Sequence, residues 1–179
     1  MLLSSRSLQR YLPTHKPKVI AIVGPTATGK SNLGIFLAQK INGEIVSADS
    51  RQVYRGMDIG TGKVTEQEQE LVSHHLLDVA NPKREFTVSQ YQKLGQKVIA
   101  DITKRGKIPI IVGGTGFYID AVLKNFKFPR VAPNKKLRKE LAKNSTAALF
   151  VMLQKIDPQR AGTIDQHNRQ RLIRAIEIV

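Results

Sequence analysis

The chain has 179 residues, 41% of them hydrophobic, enough for one domain of ordinary size and part of a second. It contains no Cys, which excludes disulfides, Cys-ligated zinc and thiol catalysis, and no apolar run approaches the roughly 18 residues of a membrane span. The formal charge of +15 is unevenly spread: Lys124 to Val179 holds 13 Lys/Arg against 4 Asp/Glu, and the preceding 123 residues hold 16 against 10. A basic C-terminal third predicts a polyanionic partner, because cations that neutralise phosphates release condensed counterions; a solvated Lys-rich surface is the plainer alternative.

Residues 1–18 carry Ser, Arg and Lys but no acid, and the first acidic residue is Glu44. Residues 1–17 read as a disordered basic tail on a cytoplasmic protein, with an organellar presequence as the minor alternative. Lys18 to Val23 is a β-branched run that stops at Gly24, as a buried parallel strand does. Ser31 to Ile41 has helical spacing, with Leu33, Phe36, Leu37 and Ile41 on one face, and Gly43 ends it. Glu44 to Ser47 is a second strand, His75 to Val79 a third and Ile108 to Val112 a fourth. Val88 to Arg105 is a helix with Tyr91, Leu94, Val98 and Ile102 in phase. This alternation predicts an α/β fold with a parallel sheet flanked by helices over residues 18–125. Beyond Gly113 the texture is helical. A helix opens near Phe117, Asn125 to Pro133 is a loop, and Asn134, Ser145 or Thr146, and Asn168 are placed to cap three helices. Residues 126–179 form the start of a helical insertion domain.

Gly24-Pro25-Thr26-Ala27-Thr28-Gly29-Lys30-Ser31 satisfies G-x-x-x-x-G-K-[ST] between a predicted strand and a predicted helix, the context that gives the motif its meaning. Backbone N–H groups converge there on phosphate oxygens at the positive end of the helix, Lys30 adds a point charge, and the Ser31 hydroxyl is placed to ligand Mg²⁺. The loop implies a di- or triphosphate but not which one. Asp49, just past the second strand, lies at the carboxyl edge where parallel sheets bind ligands. It can hold Mg²⁺ through water, act as a general base, or simply shape a turn. Gly113-Gly114-Thr115-Gly116 ends the fourth strand, where the glycines permit close backbone approach and Thr115 offers a hydroxyl to the same crevice. His74 and His75, being adjacent, face opposite ways in a strand and read as structural. Tyr54 and Phe117 could stack on bases, although Phe117 reads better as core.

The order and spacing of GPTATGKS, GEIVSADSRQVYRGMDIGTGK, HHLLDVANP, GKIPIIVGGTGFYIDAVL and DPQRAGTIDQHNRQRLIRAIEI resemble the tRNA dimethylallyltransferases, also known as isopentenyltransferases, over residues 19–179. That resemblance implies a P-loop NTPase-like core whose loop holds dimethylallyl pyrophosphate rather than spending ATP. It implies transfer of the dimethylallyl group to the exocyclic amine of the adenosine 3′ to the tRNA anticodon. Asp49 matches the family's general base, and Thr115 matches a residue that contacts the reacting centre and the pyrophosphate. Asp49, Ser50, Arg51 and Gln52, together with Gln170, Arg171, Leu172, Ile173 and Arg174, match stretches that touch tRNA, and Arg138 matches a further tRNA-contacting Arg. The expected partners are the tRNA anticodon loop and dimethylallyl pyrophosphate, with Mg²⁺ as cofactor and the chain a monomer.

Family members continue well past RLIRAIEIV, and the later part supplies another pyrophosphate-binding Arg. A fragment or truncated product is therefore expected, inactive or poorly soluble alone, ending in an apolar helix (Leu172, Ile173, Ile176, Ile178, Val179) with no partner to cover it. A P-loop kinase of a small metabolite or nucleoside, and a non-catalytic RNA-binding remnant, are the competing readings.

Overall fold

The computed structural model describes residues 18–179; the basic tail and the targeting question attached to it lie outside the described residues. The described chain divides between Phe126 and Lys127 into two compact units.

The first unit is built on a four-stranded parallel sheet. Its strands are β1 (Ile20–Val23), β2 (Gly43–Ser47), β3 (His74–His75) and β4 (Ile108–Gly113), in the order β1-β4-β2-β3. Both faces are covered, as a parallel sheet requires, and strand alternation decides which residue goes where. Ile45, Ile110 and Val112 pack with Ile35 and Ala38 of helix α1 (Lys30–Ile41). The intervening Val46 and Ile111 pack with Tyr91, Ile99 and Ile102 of α3 (Val88–Lys104) and with Tyr118, Ile119 and Val122 of α4 (Gly116–Leu123). Tyr91 is fully buried, stacks on Tyr118 with ring centroids 4.0 Å apart, and donates its hydroxyl to Ser47 O at 2.8 Å. That bond ties α3 to the last residue of β2.

Three expectations are corrected. α1 buries Gly34, Ile35 and Ala38, whereas Leu33 and Phe36 stay about half exposed (53% and 48%). The small residues decide the face: a Cβ on Gly34 would stand 2.8 Å from the Val112 side chain, so the helix can approach the sheet closely only there. In α3 the same effect turns Gly95 inward against Val122, and Leu94 remains partly exposed. β3 is His74–His75 rather than residues 75–79. Leu76 and Asp78 take positive φ (64° and 55°), which ends the extended run. The chain then follows residues 52–55, with Asp78 N donating to Gln52 O at 3.3 Å and a bridge between Tyr54 and Ala80. The short helix α2 (Glu66–Leu71) was not anticipated, yet its capping box of Thr65 and Glu68 is a local signal that the sequence carries.

The second unit holds α5 (Lys135–Leu141), α6 (Thr146–Ile156), α7 (Pro158–Ala161) and α8 (Arg169–Ile178). Asn134, Ser145, Asp157 and Asn168 cap them in turn. The expectation that α8 lacks a partner is wrong: Leu172 and Ala175 lie in a core with Leu141, Leu149, Leu153 and Ala161. Glu177, its side chain 1% exposed, accepts from Asn134 N at 2.6 Å and from Arg138 at 2.8 Å through Nε and again through Nη2, and also pairs with Arg174. The Arg138 hydrogen bonds outweigh burial and, with Arg174 and the Asn134 amide, hold the carboxyl at about 2.

Removing one member of a fully buried pair costs roughly 3–5 kcal/mol. Because about a third of each Arg side chain is exposed (36% and 33%), Glu177→Ala is expected to cost about 2–3 kcal/mol in urea unfolding. The stabilisation is complete above pH 4.5, where the unfolded carboxyl is ionised, and is lost as pH falls toward 2. An unchanged urea midpoint, or stability flat across that range, would contradict the ion-pair lock.

Candidate active site

Residues 24–31 pass from the end of β1 into α1 at the carboxyl edge of the sheet, where the positive end of a helix faces outward. Gly29 precedes the helix with φ 78°, a left-handed conformation natural to glycine. Ala27 also takes positive φ, 62°, which costs a residue with a Cβ about 1–2 kcal/mol. The loop is thus held in shape against a local preference, as is common where backbone amides must converge on a ligand. Lys30 Nζ is folded back on the Pro25 carbonyl, with the Thr28 hydroxyl 3.4 Å away.

Thr26 to Ser31 line a cavity of about 320 Å³ together with Asp49, Gln52, Thr61, Gly62, Gly113 and Gly114. The approach of the two strand ends is very close. A Cβ on Gly113 would lie 2.3 Å from Ala48 O, so only glycine fits while Ala48 N bonds to Val112 O and Thr115 N to Ala48 O. Asp49 shapes a turn: Oδ1 accepts from Arg51 N at 2.8 Å and Gln52 N at 3.3 Å, whereas Oδ2 has no hydrogen bond among the described residues. The turn role and a position on the cavity wall therefore coincide in one carboxylate.

Other sequence-predicted residues are placed differently. Gly24, Pro25, Ser50, Arg51 and Thr115 do not line this cavity. Thr115 Oγ1 accepts from Ser50 N at 2.9 Å, joining the segment after β4 to the one after β2. Phe117 is 56% exposed and rests against Phe126, contrary to its expected place in the core; α4 turns Tyr118 and Ile119 inward instead. Tyr54 is partly buried against the core, with its hydroxyl accepting from Phe86 N at 3.2 Å. In the second unit, Gln170 and Arg171 are exposed and Ile173 is partly buried. Leu172 is fully buried and cannot touch RNA with its side chain. Arg138 and Arg174 are engaged with Glu177, and Arg174 also donates to Val131 O at 2.9 Å.

The two histidines that the sequence reads as structural part company. His75 pairs with buried Glu44 at 2.7 Å, as a structural histidine does. His74, however, lies in register with Ile45 and lines the cavity. Its Nδ1 must carry the proton, because it meets the Val72 carbonyl at 2.7 Å; Nε2 is then a buried acceptor with no partner. Burial pushes the imidazole below its ordinary value of 6.5.

The model of the IPP transferase family matches residues 52–179, more than half of the chain. The chain belongs to the IPP transferase family. Among curated relatives of this chain, the tRNA dimethylallyltransferases of Roseiflexus sp. (strain RS-1) and Herpetosiphon aurantiacus are each 52% identical, over 89% and 91% of it. It spans about half of their length, 54% and 53%. A solved eukaryotic dimethylallyltransferase acting on tRNA superposes with a TM-score of 0.78 at 34% identity, over 91% of this chain and 41% of that one. The full-length tRNA isopentenylpyrophosphate transferase of Bacillus halodurans gives 0.63 at 45% identity, over 91% and 55%.

Gly113→Ala is expected to cost this chain about 2–3 kcal/mol in urea unfolding, since the methyl group meets backbone and not a yielding side chain; an unaltered midpoint would contradict the close approach. His74 is expected to keep its Nδ1–H tautomer and to titrate below 6.5, read from its ¹⁵N shifts. Its contribution to stability is then lost as pH falls below 6.5, because the unfolded imidazole gains a proton that the folded one resists. Titration above 6.5 would contradict this burial.

Proposed function

We propose that this chain carries the donor-binding and proton-accepting part of a tRNA dimethylallyltransferase, which moves a dimethylallyl group from dimethylallyl pyrophosphate to the exocyclic amine of the adenosine 3′ to the anticodon. The observation that carries this reading is the meeting of three segments on one cavity: the phosphate loop, the Asp49 turn and the glycines that end β4.

The residues divide the chemistry between them. The amides of residues 26–31 and the Lys30 ammonium bind the diphosphate; the ammonium leaves the Pro25 carbonyl to do so. An adenine in a loop is turned out of its stack to reach the crevice. Its amine nitrogen bonds to the allylic carbon as the carbon–oxygen bond to diphosphate breaks, and the electron pair leaves with the oxygen. Negative charge grows on that oxygen, where loop amides and Lys30 can oppose it; Thr115, off this cavity, braces the segment after β2 by accepting from Ser50 N. Asp49 takes the amine proton on Oδ2, the oxygen that the turn leaves open. Ser31 lines the cavity, and the described residues contain no cluster of three His, Cys, Asp or Glu side chains. This donor set fits Mg²⁺, which needs only one or two protein oxygens beside phosphates and water. When bound there, the ion supplies charge neutralisation at the leaving group. Of the tRNA-facing candidates, Ser50, Arg51, Gln170 and Arg171 are available, with Arg51 and Arg171 as the cations for phosphates. Arg138 and Arg174 instead hold the helical unit in shape. No described helix is long and apolar enough to cross a membrane.

With dimethylallyl pyrophosphate and tRNA, Asp49→Ala is expected to lower prenyl transfer by roughly 10²–10⁴-fold, the usual worth of a positioned base. Its affinity for inorganic pyrophosphate should stay within about threefold, whereas Lys30→Ala should weaken pyrophosphate at least about tenfold, as expected for a charge-assisted contact. Full transfer by Asp49→Ala, or ATP consumed in place of the prenyl donor, would refute the assignment.

A further inference from the structure

Lys63 stands outside the phosphate loop and outside every residue assigned a chemical role above, yet it is among the most deeply placed charges in the first unit. Its side chain is only 5% exposed. Lysine is almost never buried unless it is paired, and here Nζ donates to Asp58 Oδ1 and Asp78 Oδ1, both at 2.6 Å, and to Tyr54 O at 2.9 Å. Burial works against the ammonium, but the two carboxylates outweigh it and keep it charged. Its carboxylate partners remain 64% and 44% exposed, so the lysine is buried beneath two solvated anions that come from different loops.

Those loops lead back to the crevice. From Asp78, the backbone N donates to Gln52 O at 3.3 Å, and Gln52 N donates in turn to Asp49 Oδ1. Arg55 Nε adds a bond to Asp78 O at 2.8 Å, and Asp78 takes a left-handed conformation, which Asp tolerates better than most residues. From Asp58, the chain runs through a single 3₁₀ turn, Ile59–Thr61, to Thr61 and Gly62. Their carbonyls accept from Gln52 Nε2 at 3.3 and 3.0 Å, on the cavity wall. Both branches that start at Lys63 therefore end on Gln52, and Gln52 is one of the two residues whose amides orient the Asp49 carboxylate.

We propose that Lys63 is a positioning residue of this site, holding the Asp49 carboxylate and the Gln52 edge of the cavity in place through Asp78 and Gln52. The inference rests on the reading of Asp49 as proton acceptor for its functional meaning, but not for its test. A buried cation is suited to the task because it gathers two loops and a carbonyl at a single point. A hydrophobic plug of similar size would fill the space without fixing the register of either loop.

Amide hydrogen exchange on the 179-residue chain tests this directly. In Lys63→Met, the amides of Arg51, Gln52 and Asp78 are expected to exchange at least tenfold faster. Those of Ile110 and Ile111 in β4 should stay within twofold, and inorganic pyrophosphate affinity within threefold. Lys63→Arg, which keeps a cation between the two carboxylates, should restore protection at the three amides to within threefold of the parent. Unchanged exchange at Arg51 and Gln52 in a folded Lys63→Met protein overturns the proposal. So does an equal rise throughout β4, which would mark Lys63 as general scaffold. If Lys63→Met does not fold, the two branches separate the cases: Asp78→Asn is expected to deprotect Gln52 and Arg51 more than Asp58→Asn does, and equal or reversed effects overturn the proposal. Failure of Asp49 as the base would appear as full transfer by Asp49→Ala with this exchange pattern intact, so the two ideas fail separately.

Discussion

β2 and β4 run side by side in parallel, and at their carboxyl ends the backbone of Gly113 comes so near the Ala48 carbonyl that no side chain fits between them. The three segments that line the cavity are arranged around that contact. It brings the chain leaving β4 against the chain leaving β2, where Thr115 and Ser50 join them, and sets both beside the loop leaving β1. A parallel sheet ends all its strands at one edge, so three segments far apart in sequence become neighbours without any of them crossing the core. One missing methyl group is the local condition for that convergence.

The crevice is prepared rather than relaxed. Ala27 sits in a conformation that disfavours a Cβ, Lys30 rests on a carbonyl of its own loop, and His74, which lines the cavity, has a buried Nε2 with no hydrogen bond among the described residues. Ala27 and His74 carry local costs, a disfavoured φ and an unmet acceptor, whereas the Lys30 ammonium is satisfied by its own loop. The supporting elements are by contrast well satisfied. Glu44 is held far below the usual carboxylate range by Arg105 first, against burial, and then by Lys107 and His75. Glu177 plays the same part in the helical unit. Buried carboxylates surrounded by cations hold the frame, while Asp49 Oδ2 has no hydrogen bond among the described residues.

Where local chemistry decides structure, the sequence was readable. The turn from β1 into α1 follows from the motif's place between a strand and a helix, and the caps at Asn134, Ser145 and Asn168 follow from side chains that reach amides three residues on. The capping box at Thr65 and Glu68 was equally local and could have been read. What was not legible is set by contacts distant in sequence. The face of α1 is chosen by Gly34 meeting Val112; periodicity alone favoured the larger Leu33 and Phe36. β3 stops where Leu76 and Asp78 turn to meet residues 52–55. Leu172, placed by resemblance on an RNA-contacting stretch, belongs to a core assembled from four helices. No pattern in the sequence marks Lys63 as buried, because its partners lie 5 and 15 residues away on loops.

The central claim is that this strand edge grips a diphosphate with a proton acceptor at its side. A crystal structure of the chain with inorganic pyrophosphate tests it most directly. The account predicts phosphoryl oxygens within about 3.2 Å of amides in residues 27–31, Lys30 Nζ moved from the Pro25 carbonyl to the ligand, and Asp49 still facing the same cavity. Pyrophosphate bound elsewhere, with Lys30 remaining on Pro25, would contradict it.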